Sequence, residues 1–320
     1  MISKQDFLSM VQTEIFPILR QYQEKNKRDR LFTKILSLFS FLMAILCSCL
    51  YVCFYHNHNK LVFCIFVVLP FVIGAWILEA YSRYCNRIKS MIRPKIFYLL
   101  GLDNNTYFDN PLKEVSESGL VPYFNYEELA DSFEGIKIDD TFSVRDTQHS
   151  LFVQEVDNLS EERDRNRKQK RRNVFSGIII EGKQLCPKNF SLLILDKKNE
   201  KVELKFGPTS PKIKIQWQKV ENKFLNKDFS FYTDNPELRG KHLTPSLLSI
   251  IEKLKSENGE PLNILFHNGK IFLAISTKRD LFEYINWEDF SDIEPYVQLY
   301  DDIESLHQLD KLLSELENLI

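Results

Sequence analysis

ILSLFSFLMAILCSCLYVCF (Ile35–Phe54) and LVFCIFVVLPFVIGAWIL (Leu61–Leu78) are the two stretches that organise this chain of 320 residues. The first is 20 residues long and carries no charge. At about 1.5 Å per residue, that length matches the roughly 30 Å hydrocarbon core of a bilayer. The second is expected to return across it, ending near Glu79 and Tyr81. Two crossings would leave both chain ends on one side.

The flanks choose the side. Lys25, Lys27, Arg28, Arg30 and Lys34 precede the first run, and Arg83, Arg87, Lys89, Arg93 and Lys95 follow the second. The short link Tyr55–Lys60 has Lys60 alone. Excess cations mark the cytoplasmic side, so both termini are expected there, with the chain multi-pass in a cell inner membrane. Tyr51, Tyr55, Trp76 and Tyr81 lie toward the span ends, where amphipathic rings favour the headgroup level. The first thirty residues include Lys4, Asp6, Glu14, Arg20, Glu24 and Lys25, and the apolar run follows late, so no cleavable signal is expected in them.

This gives the expected plan: a cytoplasmic amphipathic helix in 1–34, spans at 35–54 and 61–81 joined by 55–60, a helical extension over 82–104, and a cytoplasmic α+β domain over 105–320. In the leading helix Phe7, Leu8, Val11, Ile15, Ile18, Leu19 and Tyr22 recur at helical spacing, with a bend expected at Pro17. Pro70 is expected to kink the second span. Gly101, Asp103, Asn104 and Asn105 supply a stop for the extension.

Beyond Phe133 the texture becomes β-rich: FEGIKI, TFSVRD, SLFVQEV, NVFSGIIIEG, SLLILD, KVELKF, KIKIQW and FSFYTD, separated by turn residues. Such a run without helices between its members predicts an antiparallel sheet or partly open barrel. TPSLLSIIEKLK reads as a helix with Thr244 as N-cap and Pro245 first. LNILF and IFLAI flank His267-Asn268-Gly269-Lys270, a strong hairpin signal. Tyr296–Ile320 reads as an acidic amphipathic helix, with Leu306, Leu309, Leu313, Leu316 and Ile320 on one face, expected to pack on the sheet rather than to form a coiled coil.

The formal charge of -2 conceals segregation of the charges, so it says little about partners. The boldest charged feature is Arg163, Arg165, Arg167, Lys168, Lys170, Arg171 and Arg172, opposed by Asp164 and expected in a solvated loop between two strands. Its readings are simple solvation, contact with anionic lipid or an acidic protein, and nucleic acid. The last is disfavoured because no aromatic residues are interleaved.

Chemistry is sparse. Four of the six cysteines (Cys47, Cys49, Cys53, Cys64) fall within the apolar runs and are read as packing groups. His56 and His58 make an incomplete metal pair. No phosphate loop, dinucleotide fingerprint, zincin motif or nucleophile elbow occurs. Asp139 and Asp140, like Asp301 and Asp302, are adjacent carboxylates that diverge on a strand or helix. No catalytic residue, cofactor or metal is expected.

The chain resembles an uncharacterised bacterial two-helix membrane family, catalogued as domain of unknown function 3137. The carriers are IFPILRQY before the membrane, Ser118-Gly119-Leu120 with FEGIKI, Val174-Phe175-Ser176-Gly177, Lys223-Phe224 through FSFYTD, Leu243-Thr244-Pro245, and ILFHNGKIFLAI leading to Asp280-Leu281-Phe282-Glu283. Glu237–His242 departs from the family pattern. The resemblance implies architecture and transfers no chemistry. The expected role is a membrane-anchored binding or assembly module with a lipid bilayer and a protein as partners. A tethered enzyme and a small oligomeric channel or transporter are the alternatives.

Overall fold

The computed structural model describes residues 2–25, 60–103, 136–163, 169–183, 191–197, 215–220, 228–234, 245–258, 261–277, 281–285 and 289–317, with Val115, Ser118, Leu120 and Val121. The first apolar run, the His56/His58 link, the KVELKF segment and the expected cap Thr244 lie outside the described residues. The chain divides into two compact units: Ile2–Ile96 with Ile285–Tyr296, and Phe97–Tyr284 with Val297–Ile320.

The first unit begins with α1 (Lys4–Met10), whose Ser3 Oγ accepts the Asp6 N–H at 3.2 Å while its hydroxyl donates to the Asp6 carboxylate at 2.6 Å. A π turn (Val11–Ile15) leads into α2 (Phe16–Lys25). Pro17, expected to bend this helix, sits just past the wider turn. Its ring would crowd the carbonyl four residues earlier in a regular α-helix, and its nitrogen has no hydrogen to donate. Phe7, Val11, Ile15, Phe16 and Leu19 form the buried stripe.

The second apolar run opens α3 (Lys60–Leu100), a single helix that passes through Pro70 without interruption and joins the expected span to its extension. Gly101, at φ +70°, ends it. Among the described residues no helix is long and apolar enough to cross a membrane. The described side chains of α3 begin only at Val72, so most of the apolar run lies outside them.

Within this unit the π turn and α2 lie beside the C-terminal half of α3. The Tyr22 and Tyr84 rings lie 5.7 Å apart, and Glu14 pairs with Lys95 at 2.6 Å. Numbers fall on one element as they rise on the other, so the two run antiparallel. Ile88, Ile92 and Ile96 supply the buried face of α3. Phe16 meets Tyr296 edge-on at 5.8 Å.

The second unit is built on a nine-stranded, wholly antiparallel sheet in the order β1-β2-β3-β4-β9-β8-β5-β7-β6. Its strands are β1 (Leu102–Asp103), β2 (Ile136–Val144), β3 (Phe152–Arg163), β4 (Gln169–Lys183), β5 (Leu192–Asp196), β6 (Gln218–Lys219), β7 (Phe229–Thr233), β8 (Leu262–His267) and β9 (Lys270–Ser276). Short strands at each edge leave it open, so the sheet alternative of the sequence reading holds and the barrel does not. FEGIKI and TFSVRD, expected as two strands, are one, with a register shift between Ile138 and Thr141 that absorbs Asp139-Asp140.

Both faces of the sheet are buried. That explains why every residue of β5 and β7 is buried rather than alternately exposed. One face carries Val156, Ile179, Leu193, Tyr232, Leu265 and Phe272, packed with Val115, Leu120, Val121 and Trp217. Two hydrogen bonds pin that cover. The Trp217 indole N–H donates to the Ser118 carbonyl at 2.7 Å, and the Asn263 amide donates to the Leu120 carbonyl at 2.8 Å. On the other face Phe142 contacts Phe97 and Phe282, both edge-on, at 5.6 and 4.8 Å.

The expected helix and hairpin are present as α4 (Pro245–Asn258) and β8–β9. Asn268 and Gly269 take positive φ of 53° and 78°, the mirror-image turn that suits the strand twist. The last helix, α5 (Glu294–Glu317), buries Leu299, Ile303, Leu306, Leu309, Leu312 and Leu313 within the chain.

Candidate functional site

The basic stretch near residue 170 is not simply a loop between strands. Arg163 ends β3, and Lys170, Arg171 and Arg172 belong to β4; Arg165, Arg167 and Lys168 lie outside the described residues. The backbone register continues outward from the buried Phe152–Val156 ladder and sets Arg171 opposite Glu161 and Lys170 opposite Glu162. Opposite charges on facing positions support a ladder, whereas like charges oppose one. Sequence reading missed this because it weighed the cations against Asp164 alone, while Glu161 and Glu162 come opposite them only through the strand register.

The same register shows how far the ribbon extends. β2 pairs with β3 only up to Asn158, and β9 pairs with β4 only from Gly177 onward. From Leu159↔Asn173 to Arg163↔Gln169 the described pairing is between β3 and β4 alone, beyond a register shift at Asn158/Leu159. Among the described residues the stretch is therefore a charge-rich two-stranded arm, continuous with the central ladder.

The opposite end of the sheet holds several buried polar side chains. Ser191 and His267 face each other across β5 and β8, with Ser191 Oγ 3.0 Å from His267 Nδ1. Thr233 Oγ donates to the Ser191 carbonyl at 2.9 Å. Ser191 is only 4% exposed, so no substrate reaches its hydroxyl without opening the strand end. The arrangement fastens the end of β5 to the end of β8. One strand pair over, Glu181 and Lys270 form an ion pair at 3.1 Å, and the Lys270 ammonium lies 5.7 Å from the Phe272 ring centre.

His149 and Asp310 form the most closed polar group. The Asp310 carboxylate takes the backbone N–H of Gln148 at 2.8 Å and of His149 at 3.2 Å, and lies 2.7 Å from His149 Nδ1. The Ser314 hydroxyl donates to the Gln148 amide oxygen at 2.9 Å. Residues more than 160 positions apart are thereby fastened, tying α5 to the β2–β3 turn. One turn earlier on α5, burial lowers the pKa of His307 below its usual value, against the opposing pull of Asp310 and Asp146. Of the dispersed histidines, His149 and His267 are thus brought to partners that spacing did not reveal, whereas His307 Nε2 is buried without a hydrogen-bond partner among the described residues and His242 lies outside them.

The Leu281–Ile285 segment is held by carboxylates from two elements. Leu281 N–H donates to Glu155 on β3 at 2.9 Å, and Phe282 N–H to Asp302 on α5 at 3.4 Å. Phe282 has φ +60°, a conformation that costs a bulky residue about 1–3 kcal/mol and persists only where the surroundings impose it. Asp301 and Asp302 diverge as expected: Asp301 is exposed, and Asp302 turns to this segment. Among the described residues no three His, Cys, Asp or Glu side chains cluster as a metal site.

Residues 173–317 match the model of a family described as protein of unknown function (DUF3137). The match takes in β4 through α5, and so includes Ser191, His267, Glu181, Lys270 and Asp310 but not His149. No curated protein and no solved structure matches the chain.

Proposed function

We propose that the chain is a membrane-anchored binding or assembly module. In this reading a two-span hairpin formed by Ile35–Phe54 and the first part of α3 holds the sheet unit at the cytoplasmic face of a cell inner membrane, and the charged β3–β4 arm offers its cations to an acidic partner. The observation that carries the reading is the antiparallel packing of the π turn and α2 on the C-terminal half of α3. It brings the segment entering the first apolar run beside the segment leaving the second, as two crossings require.

The length of α3 adds support. From Lys60 to Arg83 the helix runs about 36 Å, enough for the roughly 30 Å hydrocarbon core. Its described residues between Val72 and Arg83 include no buried one, and Val72 and Trp76 are 58% and 61% exposed. Large apolar side chains left in contact with solvent one turn apart suit a lipid environment.

The test is labelling of single cysteines in sealed vesicles with a membrane-impermeant maleimide, in a full chain whose native cysteines are replaced by serine. Cysteines placed at Gln5, Ser90 and Ser305 are expected to share one side, and one at Asn57 the other. Labelling of all four from the same side would refute the hairpin. Crosslinking in intact cells then tests the module: an acidic protein captured through the β3–β4 arm, and lost when Lys170, Arg171 and Arg172 become glutamine, is the expected result.

A further inference from the structure

We infer that the C-terminal end of α2 and the middle of α3 form a cationic collar that binds the phosphate headgroups of anionic lipids, with Trp76 marking the edge of the hydrocarbon. The inference rests on the membrane-anchor reading and goes beyond it, because an anchor needs only apolar length and no lipid preference.

The residues fall in order along α3. Val72 and Trp76 are exposed and apolar, Glu79 and Arg83 follow as an exposed ion pair, and Arg87 is exposed one turn further on. Among the described side chains of α3, the first buried one is Ile88. The Tyr22–Tyr84 contact fixes which part of α2 lies at this level. Arg20 and Glu24, both exposed, stand one half-turn to either side of Tyr22. Because α2 runs opposite to α3, Arg20 is level with the turn that carries Arg87, and Glu24 with the turn before Arg83.

Charge then selects the ligand. Arg20 and Arg87 stand at one height on two helices, with Arg83 one turn nearer the apolar segment and half-buried Lys89 close by, against Glu24 and Glu79. Guanidinium groups bind phosphate oxygens through two parallel hydrogen bonds, so the surface suits a phosphodiester headgroup with net negative charge. The Glu79 carboxylate occupies part of Arg83, which leaves Arg20 and Arg87 as the stronger contacts. A cation that reaches an anionic surface gains roughly a fivefold preference.

The full chain, reconstituted in phosphatidylcholine vesicles containing either brominated phosphatidylcholine or brominated phosphatidylglycerol, tests this through tryptophan quenching. The Trp76 share is the quenching lost in Trp76→Phe. Stronger quenching by the anionic lipid at equal content is expected, falling to parity in the triple variant Arg20→Gln, Arg83→Gln, Arg87→Gln while quenching itself persists. The opposite variant, Glu24→Gln with Glu79→Gln, is expected to sharpen the preference, which keeps the test open if the triple variant fails to fold. Equal quenching by both lipids in the unaltered chain would overturn the collar and leave the anchor standing. A preference that survives the triple variant would overturn these arginines as its source. Absence of Trp76 quenching by either lipid would remove the anchor reading and the collar with it.

Discussion

Replacing Gly177 by alanine is expected to unseat the centre of the sheet. Gly177 lies on β4 opposite Ser276 of β9, at φ +156°, where L side chains rarely sit. A Cβ there would fall 2.0 Å from the Ile275 carbonyl oxygen and 3.0 Å from both the Ile275 carbonyl carbon and the Ser276 Cα. All three contacts are backbone, so no side chain can swing aside. The strands must separate, and the ladder Gly177–Lys183 with Lys270–Ser276 holds them together. Backbone strain of about 1–3 kcal/mol and overpacking of about 1–3 kcal/mol together give about 2–6 kcal/mol. Gly101→Ala is the internal control, since a Cβ there meets nothing within 4 Å at φ +70°, and its cost is limited to about 1–2 kcal/mol of left-handed strain. Hydrogen exchange of the full chain reads both. Amides of β4 and β9 should lose protection in Gly177→Ala and keep it in Gly101→Ala. Equal, native-like protection in both variants would refute the close-approach argument.

Asp310→Ala removes the acceptor of two backbone N–H groups and the partner of His149, which is 2% exposed. Stranded donors of this kind cost about 1–3 kcal/mol each where they stay dry, so a clear fall in thermal stability is expected, with loss of exchange protection centred on Gln148–Leu151 and α5. Asn263→Leu keeps the bulk but strands the Asp196 N–H and the Leu120 carbonyl. It should lower the denaturant midpoint and detach the cover carrying Leu120, seen as increased proteolysis there. For His307, burial places the folded pKa below the usual 6.5. As pH falls below about 6.5 the unfolded chain takes up the proton first, so stability declines until the folded His307 also titrates. Denaturant unfolding at several pH values should show that decline between near-neutral and mildly acidic pH, and His307→Asn should flatten it. An unchanged slope in the variant would place the titration elsewhere.

The sequence by itself determined the parts whose signal is local. Asn268-Gly269 between two apolar runs dictates a hairpin because so few residues tolerate consecutive positive φ, and Pro245 and Gly101 punctuate helices for related backbone reasons. Apolar periodicity likewise marked the last helix, and β-rich runs separated by turn residues marked the central strands. What only the tertiary structure decided depends on residues distant along the chain. The register of β3 and β4 turned a presumed loop into a charged arm, because Glu161 and Glu162 meet Arg171 and Lys170 only after the chain doubles back. Asp310 finds His149 across a long loop, and Glu155 finds the Leu281 N–H, for reasons that no spacing rule contains. The antiparallel seat of α2 on α3 belongs to the same class. Local backbone preference fixes which elements form, but which of them meet is settled by burying their apolar faces together, and polar side chains acquire partners only as a consequence.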